Sequence, residues 1–282
     1  MSNSALLKSS IAKKYWMALT GLFLCTFLLG HLLGNLQLLV PGEEGRRMFN
    51  EYAYFMTHNP AIKALSYLTY ISILFHAIDG IALTIQNKKA RPVAYAYSNP
   101  GANSSLPSRY MAILGTLILV FIATHMANFW WKMKFTEEIP LHTYKLESKQ
   151  EMGASADQSF YYTHTPSLQP IPADPNSIDV KNKTELYYKG TNIKIGEGYK
   201  DLHTVVMTFF KDKSTGLFAV LFYTLSMLIL GFHLWHGFAS AFQSLGLNHA
   251  KWNGVIKITG RAFAVLIPLA FAIIPIIIFL NK

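Results

Sequence analysis

The chain has 282 residues, of which 51% are hydrophobic and only 14% are charged, and its formal net charge is +10. Soluble domains carry about 25% charged residues, so this composition argues against a soluble domain and favours a membrane protein. The single cysteine, Cys25, excludes an internal disulfide, a CxxCH haem attachment and an iron–sulfur cluster held by cysteines of this chain.

Five stretches are long and nearly free of charge, at about 15–40, 62–86, 110–132, 216–245 and 260–280. Each reaches the ~20 residues that cross ~30 Å of hydrocarbon as a helix, and a backbone in lipid must satisfy its own hydrogen bonds. The predicted fold class is therefore all-α, a transmembrane five-helix bundle. Residues 1–132 and 214–282 form its two parts, and residues 133–213 form a long insertion between helices three and four.

The segments between these spans differ in composition. Residues 1–14 are expected to form a short interfacial helix, and the loop 41–61 a short surface helix. The connection 87–109 is rich in Asn, Pro, Gly and Ser and is expected to be irregular. Within 133–213, the run PSLQPIPADPNSIDV favours extended or loop structure, and the run ELYYKGTNIKIGEGY favours a hairpin. This polar segment is expected to be either a small ordered cap or a surface for a partner.

Basic residues concentrate in three segments that share one side of a five-helix topology. They are Lys8, Lys13 and Lys14, then Lys88, Lys89, Arg91 and Arg109, and finally Lys251, Lys257 and Arg261. The positive-inside rule makes this side cytoplasmic, so we expect the N-terminus inside and the C-terminus and residues 133–213 outside. The net charge is thereby explained by topology, and no nucleic-acid partner is expected.

Five of the ten histidines lie inside predicted spans: His31, His76, His125, His233 and His236. Ionisable side chains in lipid are costly and usually functional, although a histidine hydrogen-bonded between helices is an alternative for each one. At 1.5 Å per residue, His31 and His125 lie roughly 22 and 24 Å from the inner ends of their helices, whereas His76 and His233 both lie roughly 15 Å from theirs. The sequence therefore predicts an outer pair and an inner pair, each built from two helices.

Two imidazoles at one depth on facing helices suit bis-histidine haem, for which the helices supply an apolar sleeve. The stretches FHAIDGIALTIQ and FHLWHGFASAFQ repeat the pattern Phe-His-x-x-x-Gly 157 positions apart. Gly80 and Gly237 of this pattern, and Gly30 and Gly34 beside His31, are expected to make room for a flat macrocycle. Ordinary small-residue packing also explains the glycines, but it does not explain histidines at equal depth.

The predicted iron ligands of two b haems are His31, His125, His76 and His233. Zinc or non-haem iron would need carboxylates or thiolates alongside, and the spans offer only Asp79. His236 is expected to be a structural residue or a contact of a haem propionate. Three basic residues near inner helix ends are further candidates for the propionates: Lys14, Arg109 and Arg261. Lipid phosphate or topogenic charge is the alternative for each of them.

Four motifs of the chain, GHLLGNLQ, FHAIDG, ATHMANFWW and FHLWHGFASAFQSLGLNH, resemble the cytochrome b membrane subunit of succinate dehydrogenases and fumarate reductases. The resemblance is to the single-chain, five-helix, di-haem type and covers about 1–132 and 214–282. It implies that His31 and His125 ligate an outer haem and that His76 and His233 ligate an inner one. The insertion 133–213 departs from the family pattern.

The resemblance further implies an anchor in the inner membrane of a bacterium for a flavoprotein and an iron–sulfur subunit on the cytoplasmic side. Electrons would pass between the iron–sulfur clusters and a membrane quinone, for which menaquinone is expected. The dicarboxylate active site would belong to the partner subunits. Four residues near the outer level are candidates for proton relay to the quinone, or simply solvate loops: Asn35, Gln37, Glu51 and His58.

Three alternative functions remain open at this point. The chain would fit the membrane cytochrome b subunit of another oxidoreductase, of the hydrogenase or formate dehydrogenase type. It would also fit a transporter or channel with a histidine-lined path, or a haem-free anchor whose histidines hydrogen-bond between helices.

Overall fold

The computed structural model describes residues 9–93, 96–136, 139–145, 158–165, 167 and 169–281. In chain order, the helices within these residues are α1 (Ser10–Leu36), α2 (Gly42–His58), α3 (Pro60–Lys89), α4 (Pro100–Asn103), α5 (Leu106–Arg109), α6 (Met111–Met126), α7 (Lys132–Phe135), α8 (Leu202–Lys211), α9 (Gly216–Ser244) and α10 (Ala250–Leu280). A 3₁₀ turn, Gln37–Leu39, extends α1, and a π-helical segment, Ala127–Trp131, joins α6 to α7. Lys8 and the first eight residues of the predicted interfacial helix lie outside the described residues.

Five of these helices are long and apolar enough to cross a membrane, and together they fit a multi-pass membrane protein. With their extensions they cover Ser10–Leu39, Pro60–Lys89, Met111–Phe135, Gly216–Ser244 and Ala250–Leu280. The five predicted helices are thus confirmed, but the fifth begins ten residues earlier than expected. Lysines near a helix end reach toward water along their flexible stems, so they do not mark the end of the helix. We call the end of the bundle at Ser10, Lys89, Met111, Ser244 and Ala250 the inner end.

Local sequence explains where the long helices begin and end. Asn59 precedes Pro60 and accepts hydrogen bonds from the backbone N–H groups of Ala61 and Ile62, which makes it the N-cap of α3. α9 ends at Ser244, and Gly246, two residues later, has a φ of +78°, the left-handed conformation that glycine adopts without strain. The cap at Asn59 fixes the start of α3, and Gly246 fixes the end of α9. These are the two helices that carry the repeated Phe-His-x-x-x-Gly pattern.

Small residues set the distance between neighbouring helices. A Cβ atom added at Gly260 of α10 would lie 2.7 Å from the ring of Phe238 on α9, and one at Gly231 would lie 3.0 Å from the carbonyl oxygen of Ala264. Such close approach is the usual device of helix packing in lipid, where no hydrophobic force drives the helices together. α10 therefore lies directly against α9 and holds it from the side.

The outer end of the bundle contains the largest apolar core. It joins residues from α1, α2, α8, α9 and α10, with the 3₁₀ turn after α1. Its buried members are Leu32, Leu38, Phe49, Val206, Phe210, Ala219, Val220, Tyr223, Ile274 and Ile278. The amphipathic helices α2 and α8 are thus part of the core of the bundle.

Residues 133–213 correct the expectation of an all-α fold. They form two small antiparallel sheets, β1 (Thr143–Lys145), β2 (Ser159–Tyr161) and β3 (Ile171–Pro172), and β4 (Ile178–Lys181), β5 (Glu185–Tyr188) and β6 (Lys194–Glu197). The predicted hairpin is confirmed as β5 and β6, and the surface helix predicted in 41–61 is confirmed as α2. Residues 87–109 were expected to be irregular but contain α4 and α5, each of which begins with a proline in its first turn.

Buried polar side chains attach the 133–213 segment to α2. Asp201 accepts hydrogen bonds from Nε and Nη2 of Arg46, at 2.9 and 2.6 Å, and from Nδ2 of Asn50 at 2.9 Å. Arg46 also donates to the backbone carbonyl of Thr143 at 2.9 Å. Asp201, Asn50 and His142 are each only 1% exposed. Burial alone would raise the pKa of Asp201, but the hydrogen bonds from Arg46, Thr204 and Asn50 outweigh it and hold that pKa below its ordinary value.

The backbone fixes the orientation of the central amide in this cluster. Oδ1 of Asn50 accepts the N–H of His203 at 3.0 Å, so its Nδ2 hydrogens point to Asp201 and to Nδ1 of His142, which is 3.2 Å away. Nδ1 of His142 is therefore an acceptor, and its Nε2 carries the proton that is donated to Glu43. We call Glu43, Arg46, Asn50, His142 and Asp201 the polar lock.

The Asp201→Asn substitution is expected to loosen the 133–213 segment. It leaves the partly buried guanidinium of Arg46 with only the exposed carboxylate of Glu43, at 3.1 Å, and breaking a buried ion pair costs up to about 3–5 kcal/mol. Hydrogen exchange of amides in β1 to β6 and α8 measures the loss of protection. Asp179→Asn is the matched control, because Asp179 pairs with Lys189 at 3.5 Å on the surface of the same segment. Equal effects of the two substitutions would contradict the role of the lock.

Acidification is expected to weaken the same attachment. Burial holds the pKa of His203 below its ordinary value near 6.5, so the unfolded segment binds this proton more readily than the folded one. Its contribution to stability is then complete above about pH 6.5 and is lost as the pH falls below that value. His164, whose pKa burial also lowers, adds to the trend. Hydrogen-exchange protection of the amides in the 133–213 segment, corrected for intrinsic exchange, should fall on acidification. It should fall less in the His203→Gln variant. Protection that does not change with pH would contradict this prediction.

Candidate paired-histidine site

The structure brings the four expected histidines together in two pairs. His31 of α1 and His125 of α6 have ring centroids 5.9 Å apart, with an angle of 84° between their planes. His76 of α3 and His233 of α9 have centroids 6.2 Å apart, with an angle of 67°. These are the two pairs that the depths of the residues along their helices predict.

The separation within each pair is that of two imidazoles on opposite sides of one metal. With metal–nitrogen bonds of about 2.0–2.1 Å and a ring radius of about 1.1 Å, the two ring centroids of such an arrangement are roughly 6.3 Å apart. Rings in direct edge-to-face contact, the arrangement seen in both pairs, also lie about 4.5–7 Å apart, so the separation fits a shared metal without requiring one. The observed 5.9 and 6.2 Å are near the metal-bridged value at both levels.

The donor set at each level consists of two neutral nitrogens. Among the residues that the structure describes, no group of three or more His, Cys, Asp or Glu side chains could hold a metal ion. A bare zinc ion takes four ligands, whereas the iron of a porphyrin already has four nitrogens and needs only two axial ones. Two imidazoles on facing helices therefore fit a haem better than a bare ion.

A backbone carbonyl fixes the tautomer of His76. Its Nδ1 lies 3.2 Å from the carbonyl oxygen of Met17 on α1, and a carbonyl can only accept a hydrogen bond. Nδ1 therefore carries the ring proton, and the lone pair of Nε2 is left for a metal. Histidines that bind metals usually donate their second ring nitrogen to a carbonyl or carboxylate in this way.

The other three paired histidines have fewer polar contacts. Within the described part of the chain, Nδ1 of His125 and Nδ1 of His233 are buried and have no hydrogen-bond partner. Nδ1 of His31 lies 3.4 Å from the amide nitrogen of Asn35, one turn further along the same helix. A buried polar nitrogen without a partner costs free energy, which a bond to a metal at the other ring nitrogen would help to offset.

Aromatic side chains surround the outer pair. Phe27 stacks on His31 with centroids 5.3 Å apart, and Phe121 stacks on His125 at 5.6 Å. The ring of Tyr223, a buried residue of α9, lies 5.9 Å from His125, and its hydroxyl accepts a hydrogen bond from Nδ2 of Asn128 at 3.2 Å. Asn128 lies in the π-helical segment that begins two residues after His125, and such segments are frequent at functional sites.

Two glycines that sequence reasoning missed lie beside the inner pair. A Cβ atom added at Gly21 of α1 would lie 3.1 Å from Cε1 of His76, and one at Gly115 of α6 would lie 3.7 Å from Cε1 of His233. A signal for them exists in the sequence, because each precedes an outer histidine on its own helix by ten residues. Ten residues of helix cover about 15 Å, which brings each glycine to the level of the inner pair.

The glycines predicted to make room have mixed roles. Gly30 and Gly237 have no atom within 4 Å of an added Cβ, and the nearest atom for Gly80 is Cε of Met17 at 3.9 Å. These three have open space beside them, which at Gly30 is on the exposed side of α1, and their role in making room for a macrocycle stays a prediction. At Gly34 an added Cβ would lie 2.4 Å from the ring of Tyr52, so this glycine serves the packing of α1 against α2.

The basic residues predicted to contact haem propionates make other contacts in the structure or are exposed. Lys14 is exposed, and Arg109 donates to the carbonyl oxygen of Ser104 at 2.6 Å. The guanidinium of Arg261 lies 5.4 Å from the ring centroid of Trp235, where it makes a cation–π contact. His236 is partly buried, one turn beyond His233 toward the inner end. Contacts of these residues with haem propionates stay a prediction.

Two candidates for the outer proton relay have contacts within the outer segment. Glu51 accepts the hydroxyl of Tyr162 and lies 3.9 Å from Arg47, and the ring of His58 stacks on Tyr54 at 3.9 Å. Their contacts connect α2 to its own turns and to residues of the 133–213 segment.

By its fold and site, the chain is a protein of five long apolar helices with two pairs of histidines, one pair above the other along the bundle. Comparison with protein-family models, with curated proteins and with solved structures finds no match. The geometry of the site and the motifs of the sequence are therefore what points to a function.

The Gly21→Val substitution is expected to displace the ring of His76, because even one added carbon atom would lie 3.1 Å from Cε1. The inner pair should then lose the capacity to hold a planar metal group, which the ratio of bound haem to protein measures. Gly254→Val is the matched control, since Gly254 lies in α10 with no atom within 4 Å of an added Cβ. Full haem binding by Gly21→Val would show that the contact between α1 and His76 is dispensable.

Proposed function

We propose that the chain is the di-haem cytochrome b membrane subunit of a succinate:quinone oxidoreductase. It would anchor a flavoprotein and an iron–sulfur subunit and carry electrons between their clusters and a membrane quinone. The proposal is carried by one observation. The structure holds two pairs of histidines, and the ring separation within each pair fits two axial ligands of one metal. The motifs that resemble this family in four of the five spans supply the particular identity.

The two histidine pairs would bind separate haems at two depths of the bundle. His76 and His233 would bind the inner haem through Nε2, and His31 and His125 would bind the outer one. When bound, haem supplies one-electron redox chemistry at a potential that the axial ligands and their surroundings set. Phe27, Phe121 and the other aromatic residues around the outer pair exclude water from that level.

Two levels at different depths give the electron path a direction across the bilayer. The outer histidines lie about 15 Å further from the inner end than the inner pair, because Gly21 and Gly115 lie beside the inner pair and precede the outer histidines by ten helical residues. Moving one charge across the full membrane potential is worth about 2.3 kcal/mol per 100 mV. An electron that passes between the levels crosses part of that potential, so the direction of flow would be coupled to it.

The distribution of basic residues supports the orientation of the protein. The inner ends of α3 and α10, and the connections that follow or precede them, are basic: the helix ends carry Lys88, Lys89, Lys251 and Lys257, all exposed. By the positive-inside rule these connections face the cytoplasm, which is where the soluble subunits would dock. Residues 133–213 would then lie on the periplasmic side of a bacterial inner membrane, with menaquinone as the expected electron partner.

The His233→Ala substitution is expected to remove one of two b haems. A reduced-minus-oxidised optical spectrum of the purified protein should show b-type bands from two haems, and the variant should keep only the outer one. His236→Ala is the matched control, because it lies one turn away on the same helix and has no ring partner in either pair. A wild-type spectrum without haem would sink the proposal, and loss of haem in His236→Ala alone would reassign the ligand.

Co-purification separates this proposal from a related one. A membrane cytochrome b of the hydrogenase or formate dehydrogenase type would also bind two haems. Only the proposed function predicts that a flavoprotein with succinate dehydrogenase or fumarate reductase activity purifies with the chain. Purification with a hydrogenase or formate dehydrogenase instead would keep the cytochrome and replace the partner.

A further inference from the structure

We infer that Thr20 is a positioning residue for His76, and that it tunes the inner haem through the Nδ1–H group of that histidine. The inference rests on the proposed function, since it concerns how an axial ligand of the inner haem is held. The residue lies on α1, which itself supplies a ligand only to the outer level.

The geometry assigns the direction of each hydrogen bond. Oγ1 of Thr20 lies 2.8 Å from the carbonyl oxygen of Trp16 and 3.2 Å from Nδ1 of His76. The hydroxyl has one hydrogen, and the short contact to Trp16 takes it, because a carbonyl can only accept. The lone pairs of Oγ1 then face Nδ1 of His76, which carries the ring proton.

The proton of His76 is therefore shared between two acceptors on one turn of α1. The carbonyl oxygen of Met17 and Oγ1 of Thr20 both lie 3.2 Å from Nδ1. Thr20 is buried, and Gly21, the next residue, lets the ring approach the helix closely. Met17, Thr20 and Gly21 together form a seat that fixes both the tautomer and the direction of the ring.

This seat is specific to one of the four paired histidines. Among the described residues, the hydrogen-bond partner of His31 Nδ1 is Asn35 on its own helix, and Nδ1 of His125 and of His233 has no partner. The inner level thus combines one histidine that is supported from another helix with one that is not. Changing Thr20 should alter the inner level and leave the outer level as it is.

The expected effect follows from the basicity of the ligand. An acceptor at Nδ1–H moves electron density toward Nε2 and makes it a stronger donor, which favours the more highly charged ferric iron. Removing one of the two acceptors weakens this donation. The inner haem should then become easier to reduce.

The test measures the midpoint potentials of both haems in the purified complex, by optical redox titration of three variants. Thr20→Val keeps the shape of the side chain and removes the hydroxyl, and Thr20→Ser restores the hydroxyl. Thr26→Val is the matched control, because Thr26 lies on the same helix and bonds the carbonyl oxygen of Leu22 at 3.2 Å in the same manner. The inner haem is identified as the component that His233→Ala removes.

Thr20→Val should favour the reduced inner haem by up to about tenfold, which is an upward shift of up to about 59 mV for a one-electron couple. The outer potential should not change, Thr20→Ser should resemble the wild type, and Thr26→Val should shift neither haem. If Thr20→Val loses the inner haem while Thr20→Ser keeps it at its native potential, the positioning role is supported as well.

Three results would overturn the inference. They are an inner potential that Thr20→Val leaves unchanged, a shift of the same size in Thr26→Val, and a Thr20→Ser variant that behaves like Thr20→Val. Each of these would leave two haems in the wild type and hence the proposed function intact. A wild-type complex that shows no haem would instead end the proposed function, and this inference with it.

Discussion

An imidazole inside an apolar helix bundle has two ring nitrogens that each need a hydrogen-bond partner or a metal. The other features of the site follow from that constraint. In lipid, water is not available to satisfy a nitrogen, so each one must meet a protein group or a metal or remain at a cost. At His76 the solution is complete on one side, because the Met17 carbonyl accepts from Nδ1 and leaves Nε2 with a lone pair. At His125 and His233 the buried Nδ1 atoms have no partner among the described residues, so that side of each ring keeps the cost of an unpaired polar nitrogen.

The four helices that carry the paired histidines supply them alternately to the two levels. α1 and α6 each carry a histidine at the outer level and a glycine ten residues earlier at the inner level, whereas α3 and α9 carry the inner histidines. At the inner level, the helix without a ligand thus contributes a residue with no side chain, which lets the neighbouring ring approach. At the outer level, α9 contributes Tyr223, ten residues before His233, beside the ring of His125.

The part of this arrangement that the sequence predicted is the part that depends on helix geometry. Charge-free stretches of sufficient length predicted five helices, and the fixed rise per residue predicted which histidines share a level. Which side chains support the rings depends on helix rotation and crossing, and those follow from packing across helices. Gly34 was therefore assigned to the site although it packs on Tyr52, while Gly21 and Thr20 were missed. The polar lock was missed for a related reason, since Arg46 and Asp201 are separated by 155 residues.

The 133–213 segment is connected to the outer pair by a continuous series of contacts. The polar lock holds Asp201, the N-cap of α8, against Arg46 and Asn50 of α2. Further along α8, Phe209 lies 5.2 Å from Phe129 and Phe210 lies 5.1 Å from Tyr223, measured between ring centroids. Phe129 and Tyr223 in turn border the ring of His125.

These contacts give the segment a physical role at the outer level. An apolar wall is effective only while it is closed, because water that enters raises the local dielectric constant and solvates any charge at the site. α8 supplies part of that wall, and its position depends on an ion pair and an amide that are themselves buried. The ring of His125 is therefore connected to the polar lock through α8, Phe129 and Tyr223.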